Sequence, residues 1–526
     1  MISAFIYNQK WQEKVNRIER FSKITKKDIV DFANKNYGNN YVVVYKRTGP
    51  NPEVTKVEKP EITPVKINRE AQSDFFKKMV SRPVEPFEPV FLDYVKDITS
   101  FKIKNDIAVS YLKNEETPTF SLYYLFDMGN NHNKKLGTAL SYLEYLGTSK
   151  LTPAQVQQEF YKTGCSFYVS SSEDQIYVTL SGLSENMEKG LVLFENLLSD
   201  CQPNADALKN LVDDILKKRA DNKLSKSTIL WSAMYNYGVY GAKNPFTDIL
   251  SEDELRNLKP EDLLAVIRDL NTYQHRILYY GSQNSAQLTD LLNKHHRVPK
   301  TLKPLPQETQ YAELDNTQGK VLVVDYDMKQ VEIILLSKSD KYNPSLIPQI
   351  SVFNEYFGSG MSSIVFQELR EAKGLAYTAY GNYRIPSRPD RNNFIMSFIG
   401  TQNDKLPEAT AGMYNLINNM PESEKHFNNA KDAIVEKIRT ERITKAAILF
   451  NYERAKRMGL SYDIRKDVFE KTPKLTFQDV KDFQQKYLKD KNYTMLVLGK
   501  KDKLNIDELK KYGEVQFLTM KDIFGY

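Results

Sequence analysis

Three stretches of this chain share one pattern, and that recurrence constrains the fold more than any other feature. They are KITKKDIVDFANKNYGNNYVVVYKR from Lys23, NLKPEDLLAVIRDLNTYQHRILYYG from Asn257, and KLTFQDVKDFQQKYLKDKNYTMLVLGK from Lys474. Each runs from an apolar residue (Ile24, Leu258, Leu475) to an Asp four positions on (Asp28, Asp262, Asp479). An amphipathic helix follows, then a short polar loop and a β-rich run such as Tyr41–Tyr45, which reads as a buried strand. Thr25 and Thr476 stand where N-caps belong. Three matches at similar spacing make an internal repeat.

The front of the unit repeats as well. Glu144-Tyr145-Leu146-Gly147-Thr148 matches Glu355-Tyr356-Phe357-Gly358-Ser359. A helix follows each (Pro153–Thr163; Ser362–Ala372), then β-like runs (Ser166–Ser171 with Gln175–Ser181; Tyr377–Tyr383 with Asn393–Ile399). In the first unit, Ser100–Lys104, Ala108–Leu112 and Thr119–Asp127 read as strands, with a tight Asn105-Asp106 loop that implies antiparallel pairing. Leu136–Leu146, Glu185–Leu198, Ala205–Arg219 and Pro260–Leu270 read as helices. Strand blocks separated by helix blocks predict an α+β fold: two homologous modules, each an antiparallel sheet with helices packed on it, preceded by the tail of a third.

The expected divisions are residues 1–48 as the tail of a preceding domain and 49–91 as a linker. A first complete module spans 92–300, a second linker 301–317, and a second complete module 318–526. Seven of the 22 prolines, from Pro50 to Pro89, fall in the first linker. Proline fixes φ and removes a donor, so the stretch reads as an extended connector. Residues 1–90 hold 17 Lys and Arg against 11 Asp and Glu, which accounts for six of the seven net positive charges. A charge excess in a linker is not the basic stripe on a folded face that nucleic-acid binding uses. No apolar run reaches the ~18–20 residues of a membrane helix, and MISAFIYNQKWQEKV has no signal-peptide pattern. The sequence assigns no compartment. Two cysteines, Cys165 and Cys201, exclude a disulfide scaffold or a four-cysteine metal site.

The most informative segment is GSGMSSIVFQELREAKGLAYTAYGNY from Gly358. Phe366, Leu369 and Leu375 give a helix its apolar stripe, Gly374 ends it, and Tyr377 opens a strand. Arg370 thus falls in the helix's last turns and Tyr377 on the neighbouring strand. From spacing alone, the pair also fits an ordinary surface Arg beside a half-buried Tyr.

This segment resembles the pitrilysin/insulinase zinc metallopeptidases, whose four related α+β domains form two halves joined by an extended linker. The first domain of that family carries H-x-x-E-H, and the last carries an Arg and a Tyr spaced R-x6-Y. Arg370 and Tyr377 match the latter. The resemblance implies that this chain is the C-terminal, non-catalytic half of such an enzyme. It further implies that Arg370 and Tyr377 bind peptide substrate and stabilise the oxyanion, with zinc held on a catalytic half carrying H-x-x-E-H, in the same polypeptide or a separate subunit. A non-enzymatic peptidase-like scaffold, or a subunit of a larger assembly, is the alternative.

The zinc motif itself is degenerate. The first module reads Ser141-Tyr142-Leu143-Glu144-Tyr145 and the second Val352-Phe353-Asn354-Glu355-Tyr356, so neither histidine is present. Zinc catalysis needs about three protein ligands and an open position. No bound metal and no catalytic residue are therefore expected on this chain alone. Of the five histidines, the adjacent His295 and His296 read as solvated and His132 as an ordinary loop residue. No nucleophile elbow, phosphate loop or dinucleotide fingerprint is present, and Cys165 has no His near it in sequence.

Overall fold

The computed structural model describes residues 1–46, 73–83 and 85–526. They divide into two compact units, 1–84 and 85–526.

In the first unit, helices cover Ile2–Ile6, Trp11–Val15, Arg17–Ser22, Lys26–Asn36 and Asp74–Val80. Thr25 caps Lys26–Asn36 in a reciprocal box with Asp28, as Thr476 and Asp479 cap Phe477–Tyr487. The repeat is therefore physical at its helix start. Its strand is not formed: residues 41–46 belong to no strand, and Val42 and Val44 are 90% and 88% exposed. A lone strand has no ladder to join, and the described residues of this unit contain no other strand. Ile29 and Phe32, at the positions of the buried Val480 and Phe483, are exposed too. Most of the proline-rich connector lies outside the described residues. Asp74–Val80 departs from the extended reading by forming a helix, in the proline-free gap between Pro64 and Pro83.

The second unit contains both complete modules. The first has strands β1 (Thr99–Lys102), β2 (Ala108–Lys113), β3 (Thr119–Phe126), β4 (Cys165–Ser171), β5 (Ile176–Leu183) and β6 (Arg276–Gly281). They lie in the order β1-β2-β6-β3-β5-β4. The second has β7 (Lys320–Asp325), β8 (Gln330–Lys341), β9 (Thr378–Arg384), β10 (Asn392–Gln402), β11 (Thr494–Gly499) and β12 (Glu514–Leu518), in the order β12-β7-β11-β8-β10-β9. Matching β2 through β6 to β7 through β11 gives the same central topology in both. The α+β, two-module expectation holds.

Each sheet also contains parallel pairing, β2 with β6 and β7 with β11. The last strand of each repeat returns after a long helical excursion and inserts beside the first, as a crossover connection permits. The outer strand differs between modules. β1 forms an antiparallel hairpin with β2 around Asn105 and Asp106, both left-handed (φ 61° and 58°), whereas β12 comes from the chain's end and runs parallel to β7.

Helices pack on one face of each sheet to form two cores. The opposite faces are covered by exchange. Ile229, Leu230, Ala233 and Met234, in the first module's sequence, pack on Leu322, Ile334, Leu336, Met396 and Leu496 of the second sheet. Leu449 and Ala455, from the second module's helix Ala447–Arg457, pack with Leu125 and Leu278 of the first. Gly238 lies so close that an added Cβ would sit 3.0 Å from Leu496.

Candidate functional site

Arg370 lies in the turn of helix Phe366–Ala372, which is wound wider than an α-helix. Gly374 ends that helix in the left-handed conformation (φ 58°). Its N–H donates to the Arg370 carbonyl (3.2 Å), and the Leu375 N–H donates to Leu369 (2.8 Å). The Lys405 ammonium holds the Gly374 carbonyl at 2.8 Å, and the Tyr377 N–H donates to Gly400 at 2.9 Å. This reversal carries the chain from helix into β9 and brings Arg370 and Tyr377 together. The guanidinium carbon lies 4.7 Å from the Phe366 ring centroid and 5.8 Å from that of Tyr377. Tyr377 is 73% exposed, and the nearest carboxylate to Arg370, that of Glu371, is loosely placed at 3.8 Å. Stacking engages the guanidinium's faces and leaves its in-plane donors available to a ligand.

The degenerate motif positions do different work. Ser141, Glu144 and Tyr145 are exposed at the end of helix Leu136–Leu143. In the second module Val352 is fully buried, and the Tyr356 hydroxyl donates to the Pro421 carbonyl (2.6 Å) while accepting from the Ser423 N–H (3.1 Å). Tyr142 makes the same latch with Asn204. In both modules a tyrosine of this helix thus ties down the N-cap of a later helix, Ala205–Asn222 or Glu424–Thr440. Glu355 is half-buried, and burial raises its pKa.

His296 is not solvated; it is completely buried. Helix Ser285–His295 ends just before it, and its extended backbone (φ −67°, ψ 115°) turns its ring inward. Its Nδ1 lies 2.7 Å from Glu195 Oε1, which also accepts from the Tyr124 hydroxyl (2.7 Å). Glu195 Oε2 accepts from the Arg297 N–H (3.0 Å) and Asn271 (3.3 Å). His275 Nδ1 donates to the Tyr273 carbonyl (2.7 Å), so its Nε2 accepts from His296 Nε2 (2.9 Å). His296 thus bridges the Glu195 carboxylate and the His275 ring. Burial pushes the Glu195 carboxyl up, but His296 and these other donors outweigh it and hold the pKa below the usual value. His295 is mostly covered as well, 2.7 Å from Glu188. Sequence could not reveal this cluster, because its members lie far apart in the chain.

Burial, and then the neighbouring His296, lower the His275 pKa to about 4. Between about pH 4 and 6.5 the unfolded chain then binds a proton that the folded chain refuses. Stability from this group is complete above pH 6.5 and falls as the pH drops through that window, by roughly 3 kcal/mol. Urea unfolding at pH 7.5 and 4.5 measures the loss. His275→Asn should flatten it, and an unchanged pH dependence in that variant would refute the assignment.

Where the modules meet, a cavity of about 410 Å3 contains His132 among paired charges. Arg276 binds Asp127 (2.6 Å) and Glu453 (2.6 Å) of the other module, Arg388 binds Glu308 (2.7 Å), and Arg457 pairs with Asp174. Burial lowers the His132 pKa. The cluster is an ion-pair seam between the modules, again built from residues remote in sequence.

Residues 275–434 match the family model described as the peptidase M16 inactive domain. The chain is 24% identical over 364 residues to an uncharacterized zinc protease of Rickettsia bellii, covering 64% of this chain and 82% of that one. The peptidase M16 inactive domain from Pseudomonas fluorescens superimposes with a TM-score of 0.62 at 17% identity, over 77% of this chain and 98% of that one. The periplasmic protease PqqL from Escherichia coli gives 0.61 at 13% identity, over 92% of this chain but 52% of its own length. The fold is thus that of the M16 peptidases. Residues 275–434 of the chain are similar to that family's inactive domain.

The zinc that the family implies does not fit the motif positions here. An exposed Ser141 and Tyr145, a buried Val352 and a committed Tyr356 hydroxyl offer no imidazole. Among the described residues no group of three or more His, Cys, Asp or Glu is arranged to hold a metal ion, and no helix is long and apolar enough to cross a membrane. Metal analysis of purified, untagged chain is expected to find well under one zinc per molecule. A stoichiometric zinc would overturn this reading.

Proposed function

We propose that this chain is the non-catalytic half of a two-half metallopeptidase, completing an active site whose zinc motif lies on a catalytic half. In this reading Arg370 holds a backbone carbonyl of the peptide and fixes its register, and Tyr377 donates its hydroxyl to the oxyanion as the tetrahedral intermediate forms. The observation that carries the proposal is the pairing itself. The exposed Tyr377 stands beside a guanidinium stacked on two rings, with no close carboxylate to occupy its donors. Alone, the chain binds polypeptide and cleaves nothing. Residues 1–48 are then the tail of the domain preceding this half, since their capped helix repeats that of the fourth domain. The test is reconstitution with a half carrying H-x-x-E-H, followed by peptide hydrolysis with and without this chain. Equal rates would remove the proposal and leave the scaffold as the better account.

A further inference from the structure

The cavity where the modules meet, about 410 Å3, is within the size range of small-molecule sites. Most of its charges are spent on one another. Arg276 gives Nε to Glu453 Oε2 (2.6 Å) and its two terminal nitrogens to Asp127 (2.6 and 3.1 Å), so all three of its nitrogens are engaged. Arg388 grips Glu308 with Nη1 and Asp390 with Nε and Nη2. Arg457 pairs with Asp174.

Three groups in the same walls are left over. Glu453 is only 5% exposed, and its Oε1 is buried with no hydrogen-bond partner among the described residues. Lys456 stands three positions on along helix Ala447–Arg457, on the same face. It is exposed, so it lies toward the mouth and Glu453 toward the floor. Its ammonium lies 6.0 Å from the centroid of the Tyr452 ring, and no carboxylate of the described residues pairs with it. The third group is His132. The Gly129 N–H donates to its Nδ1 (3.2 Å), which places the ring proton on Nε2, and Nε2 has no partner among the described residues.

An unpaired buried carboxylate oxygen costs free energy that a bound donor would recover. The walls carry four carboxylates and four cations, Lys456 included, so a bare anion or a bare cation meets repulsion as well as attraction. The unmet needs are one negative oxygen on one side, and one ammonium and one imidazole N–H on the other. Their complement has both a cationic and an anionic end. No aliphatic or aromatic side chain of the described residues lines the cavity, so the rest of that complement is small and polar.

We propose that this cavity binds a small zwitterion, a free α-amino acid with a short or polar side chain. Its ammonium would donate to Glu453 Oε1, and its carboxylate would accept from the Lys456 ammonium and from His132 Nε2. His132 belongs to the first module and the other two to the second, so the ligand would bridge the seam. The site uses neither Arg370 nor Tyr377 and goes beyond the proposed function.

The probes are glycine, L-serine and L-glutamine, each titrated calorimetrically into the full chain at pH 7.5. At least one is expected to bind saturably, with a Kd below about 1 mM. The N-acetyl and carboxamide derivatives of that amino acid, each lacking one of its charges, should bind at least tenfold more weakly. Lys456→Gln should also weaken binding at least tenfold while leaving the melting temperature unchanged, since this lysine holds no carboxylate. Glu453→Gln should weaken it as much. Glu453 also holds Arg276 across the seam, so Lys456→Gln decides the matter if Glu453→Gln fails to fold. Arg370→Ala should leave the affinity within twofold, so failure of this site and failure of the clamp are separate results. Absence of binding by all three probes, equal binding of either derivative, or indifference to Lys456→Gln would each overturn the proposal.

Discussion

In a reconstituted enzyme, Tyr377→Phe is expected to lower kcat by roughly 10²-fold and up to about 10³-fold. The change removes one hydroxyl from a side chain that is 73% exposed and makes no hydrogen bond within the described chain. Folding should therefore be unaffected, and unfolding curves of variant and parent should coincide. A donor aimed at the oxyanion acts where charge develops, so its loss falls on kcat. Arg370→Ala should divide differently. A guanidinium that grips a backbone carbonyl throughout the reaction binds ground state and transition state alike, so KM should rise at least as much as kcat falls. Parent-like rates in both variants would make the pair ordinary surface residues.

The largest effect on stability is expected at Glu195. It is 1% exposed and accepts from His296, Tyr124, Arg297 and Asn271. Glu195→Ala leaves buried donors without an acceptor and opens a cavity beneath helix Met187–Asp200, at a cost of about 3–5 kcal/mol. Against a typical domain stability of roughly 5–15 kcal/mol, that is a large fraction. Urea denaturation at pH 7.5 measures it, and a loss below about 1 kcal/mol would mean that the network contributes little.

What the sequence revealed was local or periodic. The Thr476 and Asp479 capping box, the Asn105-Asp106 reversal, Gly374 at a helix end, and the paired Glu144 and Glu355 segments each depend on neighbours within a few residues or on the repeat. So does the adjacency of Arg370 and Tyr377, which one helix end and one strand start suffice to produce. What stayed hidden depends on partners supplied from elsewhere. His296 looks solvated beside His295 because nothing near it announces Glu195. Tyr41–Tyr45 is an apolar, β-prone run like β11, yet composition cannot provide the two flanking strands that make β11 a strand. The insertion of β6 between β2 and β3 and the exchange of helices between modules are equally invisible to local pattern.

That exchange has a consequence for synthesis. Leu125 and Leu278, on the outer face of the first sheet, are covered by the helix at Ala447–Arg457. At about 5–20 residues per second, the ribosome completes the first module's strands roughly 10–35 s before their cover emerges. For that interval a finished sheet has only part of its cover, Tyr94 and Ile98 of its own module packing in the same cluster. The second sheet never waits, because its cover at Ile229–Met234 is already made when its strands appear. The order of the modules along the chain thus leaves one without its full cover during translation and the other with its cover already made.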